Sequence, residues 1–227
     1  MAVQDLEARV KSLEKLVKAQ TLEIRTLKDI EAIGRLQRAY GYYLEHWMAK
    51  EIIDLFSDAP DVSLTLFGGT YSGHAGVKRY FNTTKPDKEF LHQLMQVSGI
   101  VDVSADGLSA KGRWYGFGAI AMPRGKGMRQ SFMSGLYLVD YVKEDGVWKF
   151  KHLQFDQFYN AVPMEGWVSR ERLDAADKTL PVTWPKADIP REYSPKYPGG
   201  HIAAFHYNHP VTGKKTSEDK WNKTMKA

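Results

Sequence analysis

The 227-residue chain contains no cysteine, which excludes disulfides, thiolate nucleophiles and every metal site built on thiolate. That absence suits a reducing compartment, and the cytoplasm is the expected location. Nowhere do about 18 apolar residues run together, so no membrane-spanning helix is expected. The opening MAVQDLEARVKSLEKL is charged from its fifth residue and offers no apolar run of a signal peptide. Charge of one sign is scarce as well: 32 basic against 27 acidic residues leave only +5. Several of those lysines sit in the last fifteen residues, GKKTSEDKWNKTMKA, where they read as a solvated end. With no nucleic-acid motif beside them, nucleic acid is not an expected partner. Glycine-rich phosphate loops are missing too, since GGTYSG and GFGAI lack the strand–turn–helix setting.

What is present is a chain of globular proportions, 43% hydrophobic and 26% charged, long enough to bury a core without staples. Three segments are expected: an association helix over 1–29, a central domain over 30–160 and an extension over 161–227. In the first, Leu6, Val10, Leu13, Val17, Gln20, Ile24 and Leu27 are spaced alternately by four and three. With Val10, Val17 and Ile24 at one seam position and Leu6, Leu13 and Leu27 at the other, this is the β-branched/leucine arrangement of parallel two-stranded coiled coils. A homo-oligomer is expected, dimer or trimer, because Gln20 interrupts the seam. The competing reading folds this helix back onto its own domain or a neighbour's, since about three heptads alone are marginal.

Over 30–56 the helical pattern continues, with Ile33, Leu36, Tyr40, Tyr43 and Leu44 on one face, a break near 46–50 and a second short helix reaching Phe56. Asp58-Ala59-Pro60 closes it. Residues 62–67 alternate as a strand, Gly68-Gly69 reads as a turn, and 73–81 as a short helix entered from SGHAG, which claims His74. Segments 94–103, 108–122, 128–143 and 148–158 then read as a four-strand antiparallel meander. Asp106-Gly107, Pro123-Arg-Gly-Lys-Gly127 and Glu144-Asp-Gly146 separate them. Seven of the ten prolines lie beyond 162, interleaved with tryptophan and tyrosine. That argues against regular structure and also against disorder, hence an irregular arm wrapping this domain or a neighbour.

The order helix–helix–strand–helix–meander, carried by YGYYLEHWMAKEIIDLF, YSGHAGVKRYF, FLHQLMQVSGIVDV and SGLYLVDYVKEDGVWKF, resembles the SnoaL-like branch of the nuclear-transport-factor-2-like superfamily over residues 30–155. The resemblance implies an α+β fold in which a cone-shaped, curved, mixed and mainly antiparallel sheet is wrapped by amino-terminal helices. The chain departs from the family pattern in having Glu45 where an aspartate is usual and a tryptophan shifted to Trp47. The superfamily includes dehydratases, isomerases, cyclases and plain binding domains, so fold alone does not settle function.

Tyr40 and Glu45 stand about 140° apart on an ideal helix. The resemblance implies that they nevertheless face the cavity together with His92, as a tyrosine, an acid and a histidine do in the superfamily's dehydratases. A histidine titrating near neutrality beside a carboxylate can take one proton and return another, while phenols stabilise developing negative charge on oxygen. Period two puts Arg113, Tyr115 and Phe117 on one strand face and Gly112, Trp114, Gly116 and Gly118 on the other, and the Arg113 face is expected to wall the pocket. Tyr43, Tyr71 and Tyr137 are further candidates to line it. His201, His206 and His209 lack convergent carboxylates and are not read as a metal site. No cofactor is expected. The implied activity is a cofactor-independent lyase on a small aromatic or phenolic molecule. The long, aromatic-rich variant is similar to the diarylpropane lyases of bacterial lignin catabolism, which release formaldehyde to leave a stilbene. A dehydratase or isomerase of a polycyclic substrate, or a non-catalytic binding or assembly module, are the alternatives.

Overall fold

The structure is a computed structural model and describes residues 2–66, 68–83, 90–124, 127–161 and 209–215. The expected irregular arm therefore falls, except for its 209–215 portion, outside the described residues, and so do His201 and His206. Helix α1 (Ala2–Glu45) is continuous and, at 1.5 Å per residue, about 66 Å long. Residues 3–25 of it are exposed; burial begins at Asp29 and then follows a helical period through Ile33, Leu36, Gln37, Tyr40, Tyr43 and Leu44. The transition is anchored. Asp29, itself buried, accepts from Lys143 at 2.5 Å and from the Trp148 indole at 2.9 Å. Arg25 donates to the Asp106 carbonyl at 2.6 Å. The competing fold-back of the first heptads onto this domain is not what the described residues form.

After α1 come α2 (Ala49–Ile53), β1 (Ser63–Leu66), β2 (Gly69–Ser72), α3 (Gly73–Thr83), β3 (Leu91–Val103), β4 (Ser109–Arg124), β5 (Gly127–Glu144) and β6 (Val147–Ala161). The sheet order is β2-β1-β6-β5-β4-β3, antiparallel except where β1 runs parallel to β6. This is the α+β, curved mixed sheet that the resemblance implies. Register shifts at Val97/Ile100, Ser134/Gly135 and Asp140/Tyr141 bend the long strands and raise their twist. The last hairpin turns on Asp145 and Gly146, whose positive φ values of 49° and 80° suit a two-residue primed turn.

Three readings change. Gly68-Gly69 does not only turn the chain, because Gly69–Ser72 pairs with β1 as an edge strand. Strand β3 starts at Leu91 rather than at 94, which brings His92 into the sheet. The short second helix ends at Ile53 and not at Phe56.

The sidedness of β4 is the larger correction. Trp114 is buried, while Tyr115 and Phe117 are 46% and 38% exposed and Arg113 is exposed. A methyl group on Gly116 would lie 2.8 Å from the Tyr137 ring and 2.9 Å from Phe155, and one on Gly112 2.6 Å from the Tyr141 ring. The glycines are thus the seats on which aromatic rings from β5 and β6 rest, so theirs is the inner face. One cluster joins that face to α1, α2 and α3. Among the described residues no helix is long and apolar enough to cross a membrane.

Candidate active site

The site begins where α1 stops. Trp47 N–H bonds the Leu44 carbonyl at 3.1 Å and Met48 N–H the Tyr43 carbonyl at 2.9 Å, the paired bonds of a Schellman cap. Such a cap places its outer residue in the left-handed region, a position usually held by glycine. Here it is Trp47, with φ 49°, at a strain of order 1–3 kcal/mol. The surroundings hold it there. Its indole N–H donates to the Phe81 carbonyl at 2.9 Å, and its ring packs on Tyr80, Phe81, Phe90 and His92 with centroids 5.7 to 6.1 Å apart.

His92 lies against this indole edge-on and is stacked with Phe90 at 6.2 Å. One rim of the residue stays partly accessible, but Nδ1 is enclosed and has no hydrogen-bond partner among the described residues. An enclosed polar atom without a partner costs about 1–3 kcal/mol. Burial in this aromatic wall pulls the imidazole pKa down to about 4, opposed by a backbone hydrogen bond. At neutral pH it is uncharged and able to accept a proton.

On the same inner face of β3, four residues on, stands Gln96. Its amide donates to the Leu94 carbonyl at 2.9 Å, and its carbonyl accepts from Gln37 at 2.8 Å. The Gln37 carbonyl accepts from the Tyr141 hydroxyl at 2.7 Å, which in turn accepts from the Trp114 indole at 2.9 Å. Tyr137 has Gln96 and Tyr40 as side-chain hydrogen-bond partners. Tyr40 meets Tyr137 edge-on at 6.0 Å. Burial pushes both hydroxyls above the ordinary phenol value; the neighbouring phenols add to this at Tyr40, whereas the bonds from Gln96 and Tyr40 oppose it at Tyr137. Burial also raises Tyr80, to about 12. These groups stay neutral donors throughout the physiological range. Tyr71 sits at the margin, its ring 4.8 Å from Tyr80.

Glu45 is the last residue of α1 and is half-buried. Burial raises its carboxyl pKa, and the Gln93 side chain opposes that shift. It lines a groove of about 340 Å³ between α1 and β3 with Arg38, Gly41, Tyr42 and Gln93. No ion pair or hydrogen bond joins it to His92, because Gln93 and His92 are successive strand residues and point to opposite faces. The structure brings together His92, Trp47, Tyr80 and Phe90 on one side and Tyr40, Tyr137, Gln96 and Gln37 on the other. Glu45 stands apart from both. Arg113 lines a separate cleft of about 450 Å³ with Asp102, Lys111, Asp140 and His152, outside the sheet, and the expectation that it walls the pocket together with Tyr115 and Phe117 is overturned by the seating of rings on the opposite face.

Tyr43 is fully buried and stacks on His209 at 5.4 Å. His209 faces the Glu51 carbonyl at 2.8 Å, while its Nδ1 accepts from the Val211 and Thr212 N–H groups at 3.2 Å. This histidine has a structural place at the α1–α2 elbow. His74 likewise belongs to the start of α3, paired with Asp58 at 2.8 Å. Sequence reasoning missed Gln37, Gln96, Tyr80 and Tyr141. The signal was available for two of them: Gln37 is one helical turn before Tyr40, and Gln96 shares His92's strand parity.

The model of the SnoaL-like domain matches residues 25–154, more than half of the chain. The chain belongs to the SnoaL-like family. Among solved structures that share its fold, one from Novosphingobium aromaticivorans, provisionally named a scytalone dehydratase, aligns at 20% identity. The alignment covers 62% of this chain and 91% of that one, with a TM-score of 0.51. A second from the same species, provisionally named an aromatic ring hydroxylase, aligns at 21% identity over 60% and 94%, with a TM-score of 0.50. At these identities the likeness concerns the fold. The SnoaL-like match starts at residue 25, close to where α1 reaches the domain, so the exposed half of the helix lies outside it.

Proposed function

We propose that this SnoaL-like protein is a cofactor-independent lyase acting on a small aromatic or phenolic substrate by acid–base elimination. The observation that carries the reading is the enclosed, unpartnered Nδ1 of His92, a neutral base in an aromatic wall. In a dehydration, His92 takes the proton from carbon as the carbon–carbon double bond forms. The imidazolium then returns it to the departing hydroxyl, so that water leaves and the base is regenerated. The hydrogen-bonded Tyr40–Tyr137 pair stays neutral and turns its one free hydroxyl donor to the oxygen on which charge develops. The provisional dehydratase name of one fold relative is in keeping with such an elimination.

The finer form of the proposal is loss of formaldehyde from a diarylpropane diol. The para-phenol loses its proton as the benzylic hydroxyl departs as water, leaving a quinone methide. Deprotonation of the primary hydroxyl then breaks the carbon–carbon bond and releases formaldehyde. The electron pair passes into the ring, which recovers its phenol, and a stilbene remains. The test is incubation with a panel of phenolic diols and hydroxylated ring compounds, without added cofactor, followed by mass analysis. Loss of water alone assigns the dehydration, and loss of water and formaldehyde together assigns the finer reaction. No mass change with any member contradicts both and favours a binding module.

A further inference from the structure

Residues 3–25 of α1 stand exposed on the described structure, and their large apolar side chains, Leu16 and Leu22 apart, fall on one stripe. Val3, Leu6, Val10, Leu13, Val17, Ile24 and Leu27 are 47 to 70% exposed and form one seam of alternating three- and four-residue steps. Arg25 and Asp29 fix the point at which the helix leaves the domain, and the hydrogen bonds of Thr21 and Thr26 run back along the helix itself. Most helical stability in proteins comes from packing of an apolar face, and here the described residues leave that face uncovered. We propose that this half of α1 pairs in parallel and in register with the same helix of a second copy, as a two-stranded coiled coil.

Three features choose that occupant. The seam has β-branched residues at one position, Val3, Val10, Val17 and Ile24, and leucines at the other, the combination that selects two strands. The flanking charges are complementary in the parallel register: Arg9 of one helix faces Glu14 of the other, Glu23 faces Lys28, and no like charges meet. Gln20 is the one polar seam residue. In parallel it meets its own copy, and two amides can bond each other. The antiparallel alignment that matches the seam end to end sets Gln20 against Val10, leaving the amide without a partner. Exit points at one end of the coil then hold the two domains side by side.

The full chain tests this by size-exclusion chromatography with light scattering. Twice the chain mass is expected. Leu13→Asp with Val17→Asp is expected to give single chains whose domain melts at the wild-type temperature, because both side chains are solvent-exposed in the single chain. The absence of cysteine allows a register test: Val10→Cys is expected to form a disulfide-linked dimer on mild oxidation, since only the parallel register brings the two copies of position 10 within disulfide reach. A wild-type chain that runs as a monomer or a trimer overturns the proposal. So does a dimer that survives the double substitution, or one in which Val10→Cys does not cross-link.

Discussion

The two faces of the β3–β4–β5–β6 sheet carry similar side chains under opposite conditions. On the inner face the polar groups, Gln37, Gln96, Tyr137, Tyr141 and the Trp114 indole, are enclosed and bonded to one another in a chain. On the outer face Lys111 and Asp140 approach to 3.4 Å with side chains 83% and 41% exposed, a geometry that contributes little. Tyr137 and Tyr115, neighbouring residues of β5 and β4, differ in the same way: one is 1% and the other 46% exposed. Burial, rather than residue type, decides which phenol can serve as a fixed donor and which histidine as a neutral base.

Changes on the inner face should therefore be felt strongly and those on the outer face hardly at all. The largest effect on stability is expected from Trp47→Ala. It removes the indole that packs on His92, Phe90, Tyr80 and Phe81 and leaves a residue with a Cβ in the same strained conformation. A loss of about 3–5 kcal/mol is expected in chemical denaturation. Next comes pH. The folded imidazole of His92 titrates near 4 against an ordinary 6.5, so the unfolded chain binds the extra proton first. The stability this group leaves intact above pH 6.5 declines as pH falls towards 4, by roughly 2–3 kcal/mol once its accessible rim is allowed for. Denaturation midpoints of wild type and His92→Leu between pH 7 and 4.5 check the sign: the variant should lose less.

Gln37→Ala strips the acceptor from Tyr141 and the donor from Gln96 together, and about 1–3 kcal/mol is expected in the same assay. Arg113→Ala and Tyr115→Ala, on the outer face, should each stay within about 0.5 kcal/mol of wild type. A loss of several kcal/mol at Tyr115 would erase the contrast between the faces.

Much of this arrangement was legible in the sequence. The helical period through Ile33, Leu36, Tyr40 and Tyr43, the break after Glu45 and the glycine turns of the meander follow local rules. The faces of β4 did not, because alternation separates two faces without saying which is covered. Arg113, Tyr115 and Phe117 looked like a furnished wall and the glycines like open space. The rings that fill that space come from Tyr137, Tyr141 and Phe155, one and two strands away. His92 and Glu45 were paired through the family resemblance, but the strand carrying His92 begins three residues earlier than expected, and Gln93 rather than His92 meets the acid. Trp47 was noticed only as a departure in register. That a tryptophan would occupy a left-handed cap was invisible to a rule that looks for glycine there.

The most direct test of the inner face as the reactive one is cofactor-free turnover of an accepted phenolic substrate by His92→Ala and Arg113→Ala side by side. A neutral base in the transition state contributes about 10²–10⁴-fold, so the first variant should lose at least about 100-fold in kcat while remaining folded, and the second should stay near wild type. Full turnover by His92→Ala, or a loss confined to Arg113→Ala, would contradict the account.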